Sequence, residues 1–420
     1  MRQSRSLIAK LTVVLAALLL MPLFGSGCAS APPAPAPVRE SREPVRLGID
    51  NIDKHLDLFK GKRVGLVTNA TGINSSFESS IDVLKAKVNL VALYAPEHGI
   101  RGAVKAGDHV GYATDVKTGL PIYSLYGATK KPTPEMLAGI DVLAFDIQDI
   151  GARPYTYIYT MAYAMQAAAE NGKTFVVLDR PNPVGGMVEG GLVKPGFESF
   201  IGMYPIPLRH GMTVGELARY FNKEFAIGCD LAVVPLTGWT RDMHWDDTGL
   251  PWVMTSPNIP TPDAALVYSG TGIFGGTNVS EGVGTTRPFE LIGATWLNAE
   301  ELADKMNAKN LPGAYFRPAY FSPRFGGNAG KTLGGVQIHI TDRHAYQAVR
   351  TGITLLYTIQ EISGGNFAYD FNPRGIPYID LTTGDNGLRL GRYTLEELLA
   401  EWDKEAQQFK EKAKPYYLYQ

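Results

Sequence analysis

The feature that most constrains this chain is a series of apolar, β-rich runs that each stop at a polar cluster. Arg63 to Thr68 runs into Asn69-Ala-Thr-Gly72, and the Leu90 strand stops at Pro96, just before Glu97, His98 and Arg101. Val142 to Ile147 leads into Asp146, Gln148, Asp149 and Arg153, and Phe175 to Leu178 into Asp179-Arg180-Pro-Asn182-Pro. Such runs alternate little, as expected of strands buried on both faces. Helical segments fall between them, near Phe77 to Ala86, from Pro134 to about Gly139, and from Tyr157 to Asn171. Strands alternating with helices specify a mostly parallel sheet, and right-handed crossovers put every strand's carboxyl end on one rim. Ligands of open α/β sheets bind in the crevice beyond that rim. Random surface polarity would not choose the same end repeatedly, so the clusters point to one shared site.

Each cluster also has a plain structural reading. Glu97 fits a solvated turn, Asp179 and Arg180 a pair fixing a bend, and Asp146 a group satisfying backbone donors. Arg153 suits either a substrate anion or a nearby aspartate. Of Tyr155, Tyr157 and Tyr159, at least one belongs to the core.

With 420 residues the chain is too long for one typical core. Residues 1–27 read as an export signal, with Arg2, Arg5 and Lys10 ahead of the apolar run Leu11–Leu20, which is too short for a lasting membrane span. Gly25-Ser-Gly-Cys28 resembles a bacterial lipobox, in which Cys28 would be acylated, and residues 28–45, rich in Pro, would be a stiff tether. Ala29-Ser-Ala31 offers ordinary cleavage to a soluble periplasmic product instead. The lipoprotein reading is favoured, with Ala29 leaning towards the outer membrane of an exported, periplasm-facing protein. Residues 46–262 are expected to form the parallel-sheet domain, and residues 263–420 an α+β domain. The net charge of -1 gives no footprint for nucleic acid, and confines any membrane contact to the lipid anchor. Past Cys28 only Cys229 remains, so no intramolecular disulfide or Cys-based zinc site is expected.

Further along, Thr213 and Glu216 form a capping box, and Leu231 to Val234 a last strand of the first half. Trp239, Trp245 and Trp252 suit either a sugar-stacking wall or staples for a long loop. Gly270-Thr-Gly-Ile-Phe-Gly275 spells a dinucleotide fingerprint after a plausible strand, but Gly276, Gly282, Gly284 and Pro288 forbid the helix it requires. No nucleotide or other cofactor is expected. Asn298, with Glu301, starts a helix; Val336 to Ile340 reads as a strand, Ala345 to Glu361 as a helix, and Thr394 with Glu397 opens a final one.

No tight histidine spacing, nucleophile elbow or phosphate loop is present, so metal, acyl-transfer and nucleotide chemistry are not indicated. What remains is carboxylates with amides, arginines and aromatics around a cleft. That is the equipment of glycoside hydrolysis, in which one carboxyl protonates the leaving oxygen and a second group supports attack.

The motifs resemble one family over nearly the whole chain past the signal. They are Arg63-Val-Gly-Leu-Val-Thr-Asn69, Pro96-Glu-His-Gly99, Phe145-Asp-Ile-Gln-Asp149, Arg153-Pro-Tyr-Thr-Tyr157 and Leu178-Asp-Arg-Pro-Asn-Pro183. Arg209-His-Gly-Met-Thr213, Gly238-Trp-Thr-Arg241, Ser256-Pro-Asn-Ile-Pro260 and Gly276-Thr-Asn-Val-Ser-Glu-Gly282 complete the set. They resemble the NamZ-type exo-β-N-acetylmuramidases, peptidoglycan hexosaminidases. The resemblance implies a Rossmann-like catalytic domain over residues 46–262, a smaller second domain and a cleft between them. It also implies release of N-acetylmuramic acid from non-reducing ends of peptidoglycan fragments, during cell-wall turnover. It places the catalytic Glu on Glu97, with His98 orienting or binding a hydroxyl, and Asp149 or the substrate's own acetamido group as second participant. Asn69, Gln148, Tyr155, Asn182, His210, Asn278 and Glu281 are the expected sugar contacts. Arg101, Arg153 and Arg209 are the expected anchors of the lactyl carboxylate. Gly275 and Val283 depart from the family pattern, which usually has Glu and Arg there. They motivate an alternative: a non-catalytic muropeptide-binding lipoprotein.

Overall fold

Arg63–Thr68 (β1), with five of its six residues buried, is the middle of a seven-stranded sheet. The other strands are Asn89–Ala95 (β2), Ala113–Thr114 (β3), Pro121–Ser124 (β4), Val142–Asp146 (β5), Thr174–Leu178 (β6) and Asp230–Val234 (β7), in the spatial order β3-β4-β2-β1-β5-β6-β7. Every pairing is parallel except β3 with β4. This computed structural model describes residues 43–97, 99–101 and 113–420. The expectations for the signal, for Cys28 and for His98 lie outside the described residues.

The local causes are those of an α/β fold. β5 is buried along its whole length, and the helix Tyr157–Glu170 buries ten of its fourteen residues, because both lie inside layers. Ser79 caps the helix Ser80–Lys87, and the capping box of Thr213 and Glu216 opens the helix Val214–Glu224 as the sequence indicated. The chain places β2 and β4 on one side of β1 and then crosses to β5 on the other. That reversal opens a crevice beyond the carboxyl ends of β1 and β5.

The second half carries an antiparallel sheet of Leu291–Ala294 (β8), Ala314–Phe321 (β9) and Leu333–Ile340 (β10), in the order β8-β10-β9. The segment before Gly270, expected as a strand, is instead the helix Pro262–Thr271. Thr261 accepts a hydrogen bond from the backbone N–H of Ala264, and Pro262 opens the first turn. Gly270 and Gly352 let this helix and the helix Ala348–Ile362 touch backbone to backbone. A Cβ on Gly270 would lie 1.9 Å from the Ala348 carbonyl oxygen, and one on Gly352 would lie 2.2 Å from that of Gly270. The first glycine of the apparent fingerprint therefore serves helix packing.

Residues Glu43–Gln420 form one unit, with Ile150, Ala152, Val184 and Leu208 of the first half in the same apolar cluster as Ile292, Val336 and Leu356 of the second. Trp239 and Trp245 are buried, and Trp245 meets Trp252 edge-on at 5.0 Å, so they staple the loop rather than form a wall for sugar. The C-terminal tail closes over the first half. The Tyr419 hydroxyl donates to Asp179 Oδ2 at 2.6 Å, Arg241 lies over the Tyr417 ring, and Arg241 also pairs with Glu216. Cys229 is buried, and desolvation pushes its thiol up to about 12, so it is an inert core residue.

Candidate active site

The rim is built from short polar turns fastened to one another. Asn69, just past β1, accepts at Oδ1 from the Thr71 backbone (2.9 Å) and hydroxyl (2.6 Å), and Thr71 Oγ1 accepts from the Gln148 backbone past β5 (2.9 Å). Asp149 Oδ2 accepts from the Gly151 backbone at 2.7 Å. Gly151 has φ 78°, and a Cβ there would lie 2.4 Å from Asn182 Oδ1, so only glycine closes this turn. Below the rim, Asp146 pairs with Arg180 at 2.6 Å and with the Ser80 hydroxyl, all buried, which makes it a structural ion pair.

β2 delivers Glu97 into the crevice. The chain turns sharply after it, with the Gly99 N–H donating to the Pro96 carbonyl at 3.1 Å and Gly99 at φ 73°. Glu97 is half-buried, and its Oε2 accepts from the Thr156 hydroxyl at 3.1 Å. Tyr126, past β4, hydrogen-bonds the same carboxylate. Its phenol is pushed up to about 12, by burial first and then by the Glu97 charge.

The charges of three carboxylates act on one ring. Tyr268, on the helix Pro262–Thr271, is raised well above an ordinary phenol by burial and then by the charges of Glu97, Asp149 and Glu281. Tyr268 stacks edge-on against Tyr155 at 6.0 Å, and Tyr155 against Tyr157 at 5.0 Å. The Tyr155 hydroxyl donates to Thr255 Oγ1 (2.8 Å) and the Tyr157 hydroxyl to the Thr255 carbonyl (2.7 Å). Glu281 is held above the usual carboxylate range by desolvation, and Asp370 adds repulsion in the same direction.

Behind this wall, His210 is fully buried. Its Nδ1 accepts from the Met212 backbone, so the proton belongs on Nε2, which lies 3.3 Å from Asp149 Oδ2 in a contact too bent for a hydrogen bond. Gln148 Oε1, Asp149 Oδ1 and His210 Nε2 are buried, and none has a hydrogen-bond partner in the protein. Buried polar atoms are ordinarily paired, so these three leave hydrogen-bonding capacity unmet beneath the rim.

Several expected sugar contacts hold the protein together instead. Arg153 is fully buried and donates to the carbonyls of Gly191, Ile206 and Thr382, and burial pushes its guanidinium down to about 10. Arg209 is equally buried and bound to Glu189, Val184 and Tyr346. Neither presents a face to a substrate carboxylate, which corrects the expectation of an anion anchor at either position. Asn182 spends its amide on the Met212 carbonyl and the Val184 N–H, and Asn278 spends its own on the Asn366 carbonyl and the Ala368 N–H. Arg101 is different. Its side chain is 52% exposed and is steadied by Asp115 at 2.7 Å, close after Glu97 in the chain.

Thr156, Tyr126, Thr255 and Tyr268 are not singled out by the sequence, and Tyr157 is weighed there only with Tyr155 and Tyr159 as a core residue. Tyr157 and Thr156 lay inside a quoted motif, but their spacing matches a helix start, which hides the role. Tyr268 sits in a segment misread as a strand, so no pattern placed it opposite Glu97.

The N-terminal model of the exo-β-N-acetylmuramidase NamZ family matches residues 64–263, and the C-terminal model matches residues 266–419. The chain is 48% identical over 405 residues to the peptidoglycan β-N-acetylmuramidase NamZ of Bacillus subtilis, covering 94% of this chain and 97% of the relative. A crystal structure of a DUF1343 family protein from Bacteroides fragilis superposes with a TM-score of 0.83 at 42% identity, covering 90% of this chain and 100% of that one. A second such protein from that organism gives 0.72 at 30% identity, covering 90% and 99%.

Proposed function

The chain belongs to the NamZ family of exo-β-N-acetylmuramidases and is a glycoside hydrolase, and from that premise we propose that it releases N-acetylmuramic acid from the non-reducing ends of peptidoglycan fragments. The observation that carries this reading is the place of Glu97, at the carboxyl end of β2 and hydrogen-bonded by Thr156, on the same sheet rim as Asn69, Gln148 and Asp149, where an open α/β sheet binds ligands. Fission of a glycosidic bond needs a proton on the departing oxygen and help at the anomeric carbon. Glu97 donates that proton, and its hydrogen bonds to Thr156 and Tyr126 fix the carboxyl's direction. The C1–O bond breaks, water adds to C1, and its proton passes to a carboxylate. Asp149 or the substrate's acetamido oxygen supports the electron-poor carbon between the two events.

The lactyl carboxylate falls to Arg101. Asp115 is itself fastened to Thr118 and holds the guanidinium ready for a bidentate contact. The enzyme works in the cell envelope on muropeptides, tethered through Cys28, and takes part in wall turnover.

Incubation with an aryl β-N-acetylmuramide, against the matching N-acetylglucosaminide, tests the substrate class. Free N-acetylmuramic acid from a fragment with a muramic terminus, and none from the same fragment capped by N-acetylglucosamine, is the expected result. Internal cleavage of the capped fragment would contradict the exo reading.

A further inference from the structure

Phe289, two residues ahead of β8, has φ 67°, a conformation that a bulky side chain rarely adopts. Phe77, Ala226 and Asn310 share the sign but are exposed, so Phe289 is the buried non-glycine case among the described residues. Its surroundings hold it there. The Phe289 N–H donates to the Glu281 carbonyl at 2.6 Å, and the Leu291 N–H at the start of β8 donates to the Arg287 carbonyl at 3.2 Å. Backbone strain of this kind persists where the surrounding structure over-determines it, and it gathers at functional sites.

What the strained turn presents is a ring. Phe289 meets Tyr268 edge-on with centroids 4.7 Å apart, Tyr268 meets Tyr155, and Tyr155 meets Tyr157. The three interplanar angles are 87°, 81° and 85°, so a chain of near-perpendicular rings runs from the second half into the first. Its last two rings flank Thr156 in sequence. Thr156 is the N-cap of the helix Tyr157–Glu170, with φ −78° and ψ −10° in place of the usual extended backbone, and its side chain makes no capping bond. An N-cap threonine ordinarily turns its oxygen to the first turn of its own helix. This one donates its hydroxyl to Glu97 Oε2 instead.

We propose that Phe289 is a positioning residue for the hydrolysis: its ring, through Tyr268, sets the Tyr155-Thr156-Tyr157 segment, and Thr156 in turn aims the Glu97 carboxyl. The inference rests on the reading of Glu97 as the acid. A carboxyl protonates a glycosidic oxygen only from within hydrogen-bond reach, and a small misplacement costs rate. Edge-on aromatic pairs suit the task, because a positive ring edge against a negative ring face fixes an angle as well as a distance. An aliphatic side chain of similar size fills the space without fixing the angle. The second half thus contributes alignment to an acid that the first half carries, and the strained turn is kept for the ring it presents.

Phe289→Leu keeps the apolar bulk and removes the ring. On the natural disaccharide this variant should lose about 5- to 50-fold in kcat with KM little changed. On an aryl muramide whose leaving group needs no proton, it should work at nearly the wild-type rate. Tyr268→Leu breaks the same chain one ring later and should give the same split, which decides the matter if Phe289→Leu does not fold. In a Thr156→Val background, where the hydroxyl that holds Glu97 is already gone, Phe289→Leu should cost little more. Equal losses on the two substrates would make Phe289 a general support of the fold and overturn the proposal. So would an unchanged kcat on the disaccharide, or a full additive loss on top of Thr156→Val. Wild-type rates on both substrates in Glu97→Gln would overturn the reading of the acid itself. A loss in Glu97→Gln beside an unchanged Phe289→Leu would overturn the ring chain alone.

Discussion

Arg101 and Tyr419 show how differently two exposed-looking polar side chains can act. Arg101 stays half in solvent while a buried aspartate holds its guanidinium, which suits a carboxylate receptor. Arg101→Ala should lower kcat/KM for the muramide about 10- to 100-fold, the loss of a charged hydrogen-bonded pair, and leave residual glucosaminide turnover nearly unchanged. Parallel losses on both sugars would mark Arg101 as structural. Tyr419 donates to Asp179, whose carboxyl is raised from 3.8 to about 6, by burial first and with added repulsion from Glu216. The raised value means that the folded state favours the neutral acid. The stability this supplies is full below pH 3.8 and is lost as pH rises through about 6. Above that pH the ionised Asp179 depends on its donors, so Tyr419→Phe should cost about 1.5–3 kcal/mol at pH 8 and less at pH 5. Urea unfolding at the two pH values checks this, and an equal cost at both would refute it.

At the scale of elements, the parallel sheet was legible because its strands are buried on both faces and end in polar turns. The runs at 63, 90, 142, 175 and 231 all became strands, and the capping boxes at Thr213 and Thr394 opened helices. The second half was harder to read. β9 carries Arg317 and Pro318 in the middle, because an edge strand with solvent on one side tolerates both, and no apolar run announces it. The helix Pro262–Thr271 ends in Ser-Gly-Thr, which reads as a turn until its partner is known. Gly270 and Gly352 are there for a crossing between helices far apart in sequence. Gly352→Ala should therefore lower stability by about 1–3 kcal/mol, despite alanine's better helix propensity, because the new methyl meets the Gly270 carbonyl. A thermal melt matching or exceeding the wild type would rule out that packing. The site was legible in the same uneven way. Glu97 and Asp149 could be placed on the rim because each follows a strand, while Arg153 and Arg209 looked like anion anchors only because sequence cannot show a guanidinium surrounded by carbonyls.

At the scale of the whole molecule, the two halves share a core. Ile150, Ala152, Val184 and Leu208 are buried against the second half, and Tyr268 of that half feels the charge of Glu97. Residues 43–262 alone would leave those apolar side chains uncovered, so the fragment should expose hydrophobic surface and lack a sharp melting transition, whereas residues 43–420 should unfold in one step by calorimetry. Two resolved transitions in the full chain would contradict this coupling. The central claim is that a carboxylic acid at the end of β2 protonates the leaving oxygen. Glu97→Gln preserves shape and removes the proton, so the variant should bind the muramic terminus and lose about 10²- to 10⁴-fold in kcat on the natural disaccharide. On an aryl muramide whose leaving group needs no proton, the loss should be far smaller. The most direct test is the ratio of these two losses in the folded variant. A much larger loss on the disaccharide is the expected result, and wild-type rates on both substrates would contradict the assignment.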